Sequence, residues 1–196
     1  MSAVTFLREF VRDPVQLGAV APSGADLARL MVEAAELRAG DVVVELGAGT
    51  GPMTAEILRV RPDGPFVALE PSPPLAEGLR VRFPGARIEQ RYAQELRAIL
   101  TEMGQDHADR VVSSLPWAIW SEELQAAVFS AILDVLTDEG RMVTFAYVHA
   151  LMLPAARRLR RALESRFHEV RTTRVAWLNV PPALVYVCDR PRRGVA

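Results

Sequence analysis

Apolar residues in this chain arrive in two rhythms. Short unbroken runs, such as Val42–Val44 and Phe66–Leu69, stop abruptly at acidic residues or turns. Longer stretches, such as 24–37 and 121–136, return an apolar side chain about every third or fourth position. The first rhythm fits strands buried on both faces, and the second fits helices with one apolar stripe. Helices are therefore expected at 3–12, 24–37, 53–60, 73–82, 93–103, 121–136 and 151–164. Strands are expected at 42–46, 65–69, 86–89, 109–114, 140–147, 168–177 and 183–189. Turn-forming residues at Arg61–Gly64, Pro84–Gly85 and Asp138–Gly140 fall between these elements. The alternation predicts an α/β fold, a mostly parallel sheet with helices on both faces.

Composition narrows this picture only in places. At 196 residues the chain suits one compact core. Half of it is hydrophobic, yet no apolar stretch reaches bilayer length and no signal-peptide pattern opens the sequence, so a cytoplasmic location is expected. A net charge of −1 argues against an electrostatic grip on nucleic acid, although every basic residue is arginine. Cys188 stands alone, which leaves no disulfide framework and no cysteine cluster for zinc; no metal is expected.

Candidate chemistry begins at VVVELGAGTG, residues 42–51, where a β-branched run meets Glu45 and then Gly47, Gly49 and Gly51. Glycines at that spacing let backbone turn tightly beneath a ligand before a helix starts. Glu70 ends the next apolar run nineteen positions after Gly51, where a strand-tip carboxylate can accept hydrogen bonds from both ribose hydroxyls. A glutamate just before the glycines suits phosphate poorly and a cationic ligand well.

The E-x-G-x-G form resembles the first motif of class I methyltransferases, whose cofactor, S-adenosylmethionine, carries a sulfonium and no phosphate. The resemblance implies a Rossmann-like, seven-stranded, mostly parallel sheet with helices on both faces and one antiparallel strand in a C-terminal hairpin. It also implies a cofactor site at Glu45, Gly47, Ala48, Gly49, Thr50, Glu70 and Pro71, with Ala93 offering a backbone N–H to adenine. Tyr92 stands where many relatives carry an acidic residue.

The segment DRVVSSLPWAIW, 109–120, runs a strand into a proline-fixed aromatic turn. Its S-L-P-W resembles the N-L-P-aromatic motif of amino methyltransferases. Ser114, Leu115, Trp117 and Tyr147 are thereby implied as the residues around the acceptor, with Ser114 also beside the cofactor. Ser114 is an orienting group rather than a base, and indole faces can stabilise a cation. Trp120 and Trp177 are further candidates for that pocket, Arg171 and Arg174 for a phosphate, and His149 or His107 for the released proton.

Both ends extend the resemblance. FLREFVRDPVQLGAVAPSG at the start, TFAYV at 144–148 and WLNVPPALVYVCDR near the end look like bacterial phospholipid N-methyltransferases. The family implies residues 1–38 as an N-terminal helical lid or membrane-contact segment and 39–196 as the catalytic core. Phe6, Leu7, Phe10 and Val11 share one helical face, so 1–12 can lid the site or touch a membrane at its inner face, and Ser23 falls in a loop over the methionine end. N-methylation of an amine, phosphatidylethanolamine first, is the implied activity. A small-molecule acceptor, adenine in ribosomal RNA, or a non-catalytic regulatory protein that binds the cofactor stand as alternatives. Oligomeric state is not legible.

Overall fold

The computed structural model describes residues 22–60 and 63–194. It is a three-layer sandwich built on one seven-stranded sheet. The helices are α1 Pro22–Ala35, α2 Pro52–Val60, α3 Pro73–Arg82, α4 Leu96–Glu102, α5 Glu122–Val135 and α6 Pro154–Arg166. The strands are β1 Val43–Leu46, β2 Phe66–Leu69, β3 Arg87–Glu89, β4 Ala108–Ser113, β5 Leu136–Tyr147, β6 Phe167–Thr172 and β7 Ala183–Pro191.

The order across the sheet is β3-β2-β1-β4-β5-β7-β6. The first five strands in that order run parallel, and β7 pairs antiparallel with both β5 and β6. The C-terminal hairpin is thus the expected one. Strand order reverses between β1 and β4, which opens a crevice above their carboxyl ends.

Alternation along each strand assigns side chains to two cores. Val44, Leu46, Val67, Leu69, Val111 and Met142 meet α4, α5 and α6 on one face. Val43, Ala68, Val112, Val143, Val185 and Val187 meet α1, α2 and α3 on the other. In α1, Leu27, Met31 and Ala35 recur every fourth position with Ala28 and Val32 beside them, and all five are buried against the sheet. Helix α1 is therefore part of the same core as the strands. Residues 1–12 lie outside the described residues.

Two boundaries differ from the pattern. Asp138–Gly140 is a bulge inside β5: Ala108 pairs with Leu136 but Arg110 already pairs with Arg141, so the turn residues are looped out of register and the strand continues. Strand β6 stops at Thr172 rather than 177, because the chain then leaves the sheet and touches β7 again only through an isolated bridge from Ala176 to Ala183.

Candidate cofactor and acceptor site

Strand β1 brings Leu46 to the sheet edge, and Gly47, Gly49 and Gly51 follow at φ of +78, +56 and +89°. That left-handed backbone favours glycine. At Gly47 the space is also taken, since a Cβ there would stand 3.1 Å from Leu115 Cδ2. Ala48 is buried in the turn, and the carbonyl of exposed Thr50 accepts a bond from Arg82 at 2.9 Å.

Glu70 lies just past β2, buried, with its carboxylate fixed from two sides. Oε2 accepts the Gly49 N–H at 2.8 Å and Oε1 accepts the Ser72 N–H at 2.9 Å. Burial pushes this carboxyl up, and those two backbone donors oppose the shift. Each oxygen keeps further acceptor capacity, so the group is oriented to receive a vicinal diol.

Glu45 goes the other way. Strand alternation turns it toward α2, where the Thr54 hydroxyl donates to Oε2 at 2.8 Å and Oε1 has no protein partner. It is fully buried, and burial pushes its carboxyl up to about 8, with the nearby Glu70 adding to the shift. Glu45 therefore does not line the cavity, contrary to the expectation of a side chain beside the methionine group; it sits below the turn.

A cavity of about 370 Å³ opens above β1 and β4. Leu46, Gly47, Leu69 and Pro71 form its floor at the first two strand ends. Tyr92, Ala93, Gln94 and Glu95 form one wall, from the 3-10 turn after β3. Ala93 opens that turn, so its N–H has no partner within it. Tyr92 and Glu95 close the turn together, the Tyr92 N–H donating to Glu95 Oε1 at 3.1 Å while Arg91 pairs with Glu95 at 2.9 Å. Leu115 and Trp120 form the opposite wall, backed by Leu124 and Val128 of α5.

The acceptor turn divides its aromatics differently from expectation. Trp117 is buried, its ring stacked on Phe129 at 4.2 Å and its indole N–H donating to Ser113 Oγ at 3.0 Å. It is a core residue rather than a pocket residue, because this turn points its first indole back under the sheet edge. Trp120 takes the outward position. Gln125 fixes the turn, its Nε2 donating to the carbonyls of Trp117 at 2.8 Å and Trp120 at 3.2 Å. Ser114 is half-buried at the end of β4, its N–H bound to the Leu46 carbonyl at 2.8 Å.

Other candidates fall away from the cavity walls. Tyr147 ends β5 against Phe145 and His149, with ring centroids 5.3 and 5.7 Å away. Trp177 is exposed on the loop before β7, and Arg171 is held by Asp189 and Glu169. His107 faces Asp109 at 3.9 Å, away from the crevice. The side chain of Ser23 lies outside the described ones. Tyr92, Trp120, Leu124 and Val128 complete the cavity; the 3.6-residue spacing of Leu124 and Val128 on a helix following the acceptor turn was the available signal for the last two.

These residues fit a cofactor with a diol and a flat base. Glu70 matches the diol, and the apolar wall and the Ala93 N–H match the base. Among the described residues no His, Cys, Asp and Glu cluster could hold a metal, and no helix is long and apolar enough to cross a membrane.

Comparison with known proteins agrees with this geometry. No protein-family model matches the chain. The ornithine lipid N-methyltransferase of Singulisphaera acidiphila is 35% identical over 194 residues, covering 97% of this chain and 95% of that enzyme. A ribosomal RNA small subunit methyltransferase A of Prosthecochloris aestuarii is 31% identical over 93 residues, 47% of this chain and 34% of that protein. Among solved structures, a TehB-like SAM-dependent methyltransferase from Corynebacterium glutamicum superposes with a TM-score of 0.62 at 16% identity, covering 95% of this chain and 97% of that one. TrmN from Thermus thermophilus gives 0.64 at 19% identity, covering 92% of this chain and 52% of its own. The chain belongs to the family of the ornithine lipid N-methyltransferase, within the class I S-adenosylmethionine-dependent methyltransferases.

Proposed function

We propose that this protein N-methylates the free amine of a membrane aminolipid, with an ornithine lipid as the acceptor. The observation that carries the acceptor is the near full-length similarity to the ornithine lipid enzyme. It moves the proposal from phosphatidylethanolamine to an ornithine headgroup while keeping the same attacking group, a primary amine.

In this reading Glu70 holds the ribose diol, the Ala93 N–H meets the base, and Gly47 lets backbone approach the methionine end. When bound, S-adenosylmethionine supplies an electrophilic methyl group on a sulfonium. The chain's own task is to bring a neutral amine in line with it and exclude water. Ser114 and the backbone of the acceptor turn accept hydrogen bonds from the amine and set its direction. Leu115, Leu124 and Val128 strip water from the cavity, while the Trp120 face stabilises positive charge by about 0.5 to 2 kcal/mol.

Purified protein incubated with methyl-labelled cofactor and separate pools of ornithine lipid, phosphatidylethanolamine and ribosomal RNA tests the proposal. Label is expected in ornithine lipid and absent from RNA, and Gly47→Val abolishes transfer by displacing Leu115 and straining a φ of +78°. Label appearing only in phosphatidylethanolamine or only in RNA would reassign the acceptor.

A further inference from the structure

Where β5 ends and β7 begins, two loops present apolar side chains to water. Trp177, Leu178 and Val180 are 71, 77 and 79% exposed, and Met152 and Leu153 are 74 and 54% exposed. These residues are fixed outward. The Val148 N–H donates to the Pro182 carbonyl at 2.9 Å, joining the two loops. Asn179 is buried between its apolar neighbours, with Nδ2 donating to the Pro181 carbonyl at 2.6 Å and its own N–H to Ala176 at 3.2 Å. The chain thus points a polar residue in and three large apolar ones out. Large apolar side chains held outward on two loops joined in this way mark a contact surface rather than an ordinary solvated loop.

Position and charge identify the partner. The tip stands at the sheet edge that also bears the cavity, and the turn after β4, which carries half-exposed Ile119, packs against α6 just beyond Leu153. Arg157 in the first turn of α6 and Arg174 on the second loop are exposed and form no ion pair among the described residues, whereas Arg158 pairs with Glu122 and Arg160 with Glu164. An apolar tip bordered by unpaired guanidinium groups matches the interface of an anionic lipid leaflet, acyl chains under phosphates.

We propose that the loops at 148–153 and 173–182 form a docking surface for an anionic bilayer, inserting Trp177, Leu178 and Val180 so that the cavity mouth faces the headgroups. The purpose of this docking rests on the aminolipid reading, because an acceptor anchored by its acyl chains must be met at the bilayer surface. The docking itself is measurable without any methyl transfer.

The 196-residue protein is sedimented with vesicles of phosphatidylglycerol and phosphatidylcholine in equal parts, and with vesicles of phosphatidylcholine alone. Binding to the mixed vesicles is expected to be at least tenfold tighter, with a blue shift of tryptophan emission. The triple variant Trp177→Ser, Leu178→Ser, Val180→Ser is expected to lose at least tenfold of that affinity while binding cofactor normally, since these side chains support no core. Arg157→Gln with Arg174→Gln should weaken binding to the mixed vesicles alone. A triple variant that binds as tightly as the parent would overturn the proposal, as would a parent that binds neither vesicle or instead buries the tip in a dimer. Vesicle binding without methylation of any aminolipid would leave the docking standing and remove the substrate reading.

Discussion

Glu45 and Glu70 are one strand apart in sequence order, yet burial and partners give them different tasks. Burial raises the Glu70 carboxyl, and two backbone N–H groups oppose that shift and fix both of its oxygens. Glu45 is fully buried with one hydroxyl donor, and burial raises its carboxyl to about 8. Between the usual 4.5 and about 8, the unfolded chain releases a proton that the folded protein retains. The stability this gives is full below the window, falls by up to about 1.4 kcal/mol per pH unit through it, and is gone above it. Urea unfolding at pH 5.5, 6.5 and 7.5 should show this decline, and Glu45→Gln should flatten it; an unchanged slope in the variant would place the titration elsewhere. Both glutamates were legible in the sequence as strand-end carboxylates, Glu45 just before the glycine turn and Glu70 at the end of the next apolar run. Which partners each of them meets was not, because a strand sends successive side chains to opposite faces and the neighbouring elements decide what each one touches.

At the scale of elements, the turn after β4 is the instructive case. Its residues announced a proline-fixed aromatic turn, but the register of a short 3-10 turn, Trp117–Ile119, decides which indole reaches the cavity. Trp117 is clamped between Ser113 and Phe129, so Trp117→Ala is expected to cost about 3 to 5 kcal/mol of folding stability, read by urea denaturation. Gln125 acts through the turn instead. Gln125→Leu leaves two carbonyls without their donor, and we expect turnover to fall about tenfold with cofactor affinity unchanged, measured by kcat and by calorimetric titration. Equal losses in kcat and cofactor affinity would make Gln125 a general packing residue. Element boundaries followed the hydrophobic rhythm closely, as at 73–82, and failed where hydrogen bonding outvoted a turn signal. Asp138–Gly140 reads as a turn in isolation, but pairing with β4 on either side carries the strand past it as a bulge.

Over the whole molecule, one charged network ties helix α1 to the far half of the sheet. Arg141 on β5 reaches the Ala34 carbonyl at 3.0 Å and Glu36 at 2.9 Å just past α1, and pairs with Asp189 on β7 at 2.5 Å; Arg171 on β6 joins the same Asp189. With the Arg141 side chain largely buried, Arg141→Ala is expected to lower the unfolding free energy by about 1 to 3 kcal/mol, seen as a lower denaturation midpoint with an unchanged cofactor affinity. A neutral result would make the network a surface feature. By itself the sequence determined the α/β class, the seven strands, the glycine turn with its two carboxylates, and, through resemblance at both ends, the methyl-transfer chemistry. These are properties of local composition and spacing, which survive without knowing what lies across the sheet. Only the tertiary structure decided that Glu45 turns away from the cavity, that Trp120 rather than Trp117 lines it, and that Asn179 holds an apolar tip beside arginines at the catalytic edge. Those outcomes depend on which residues distant in sequence share a face, and burial assigns that only once the sheet has formed.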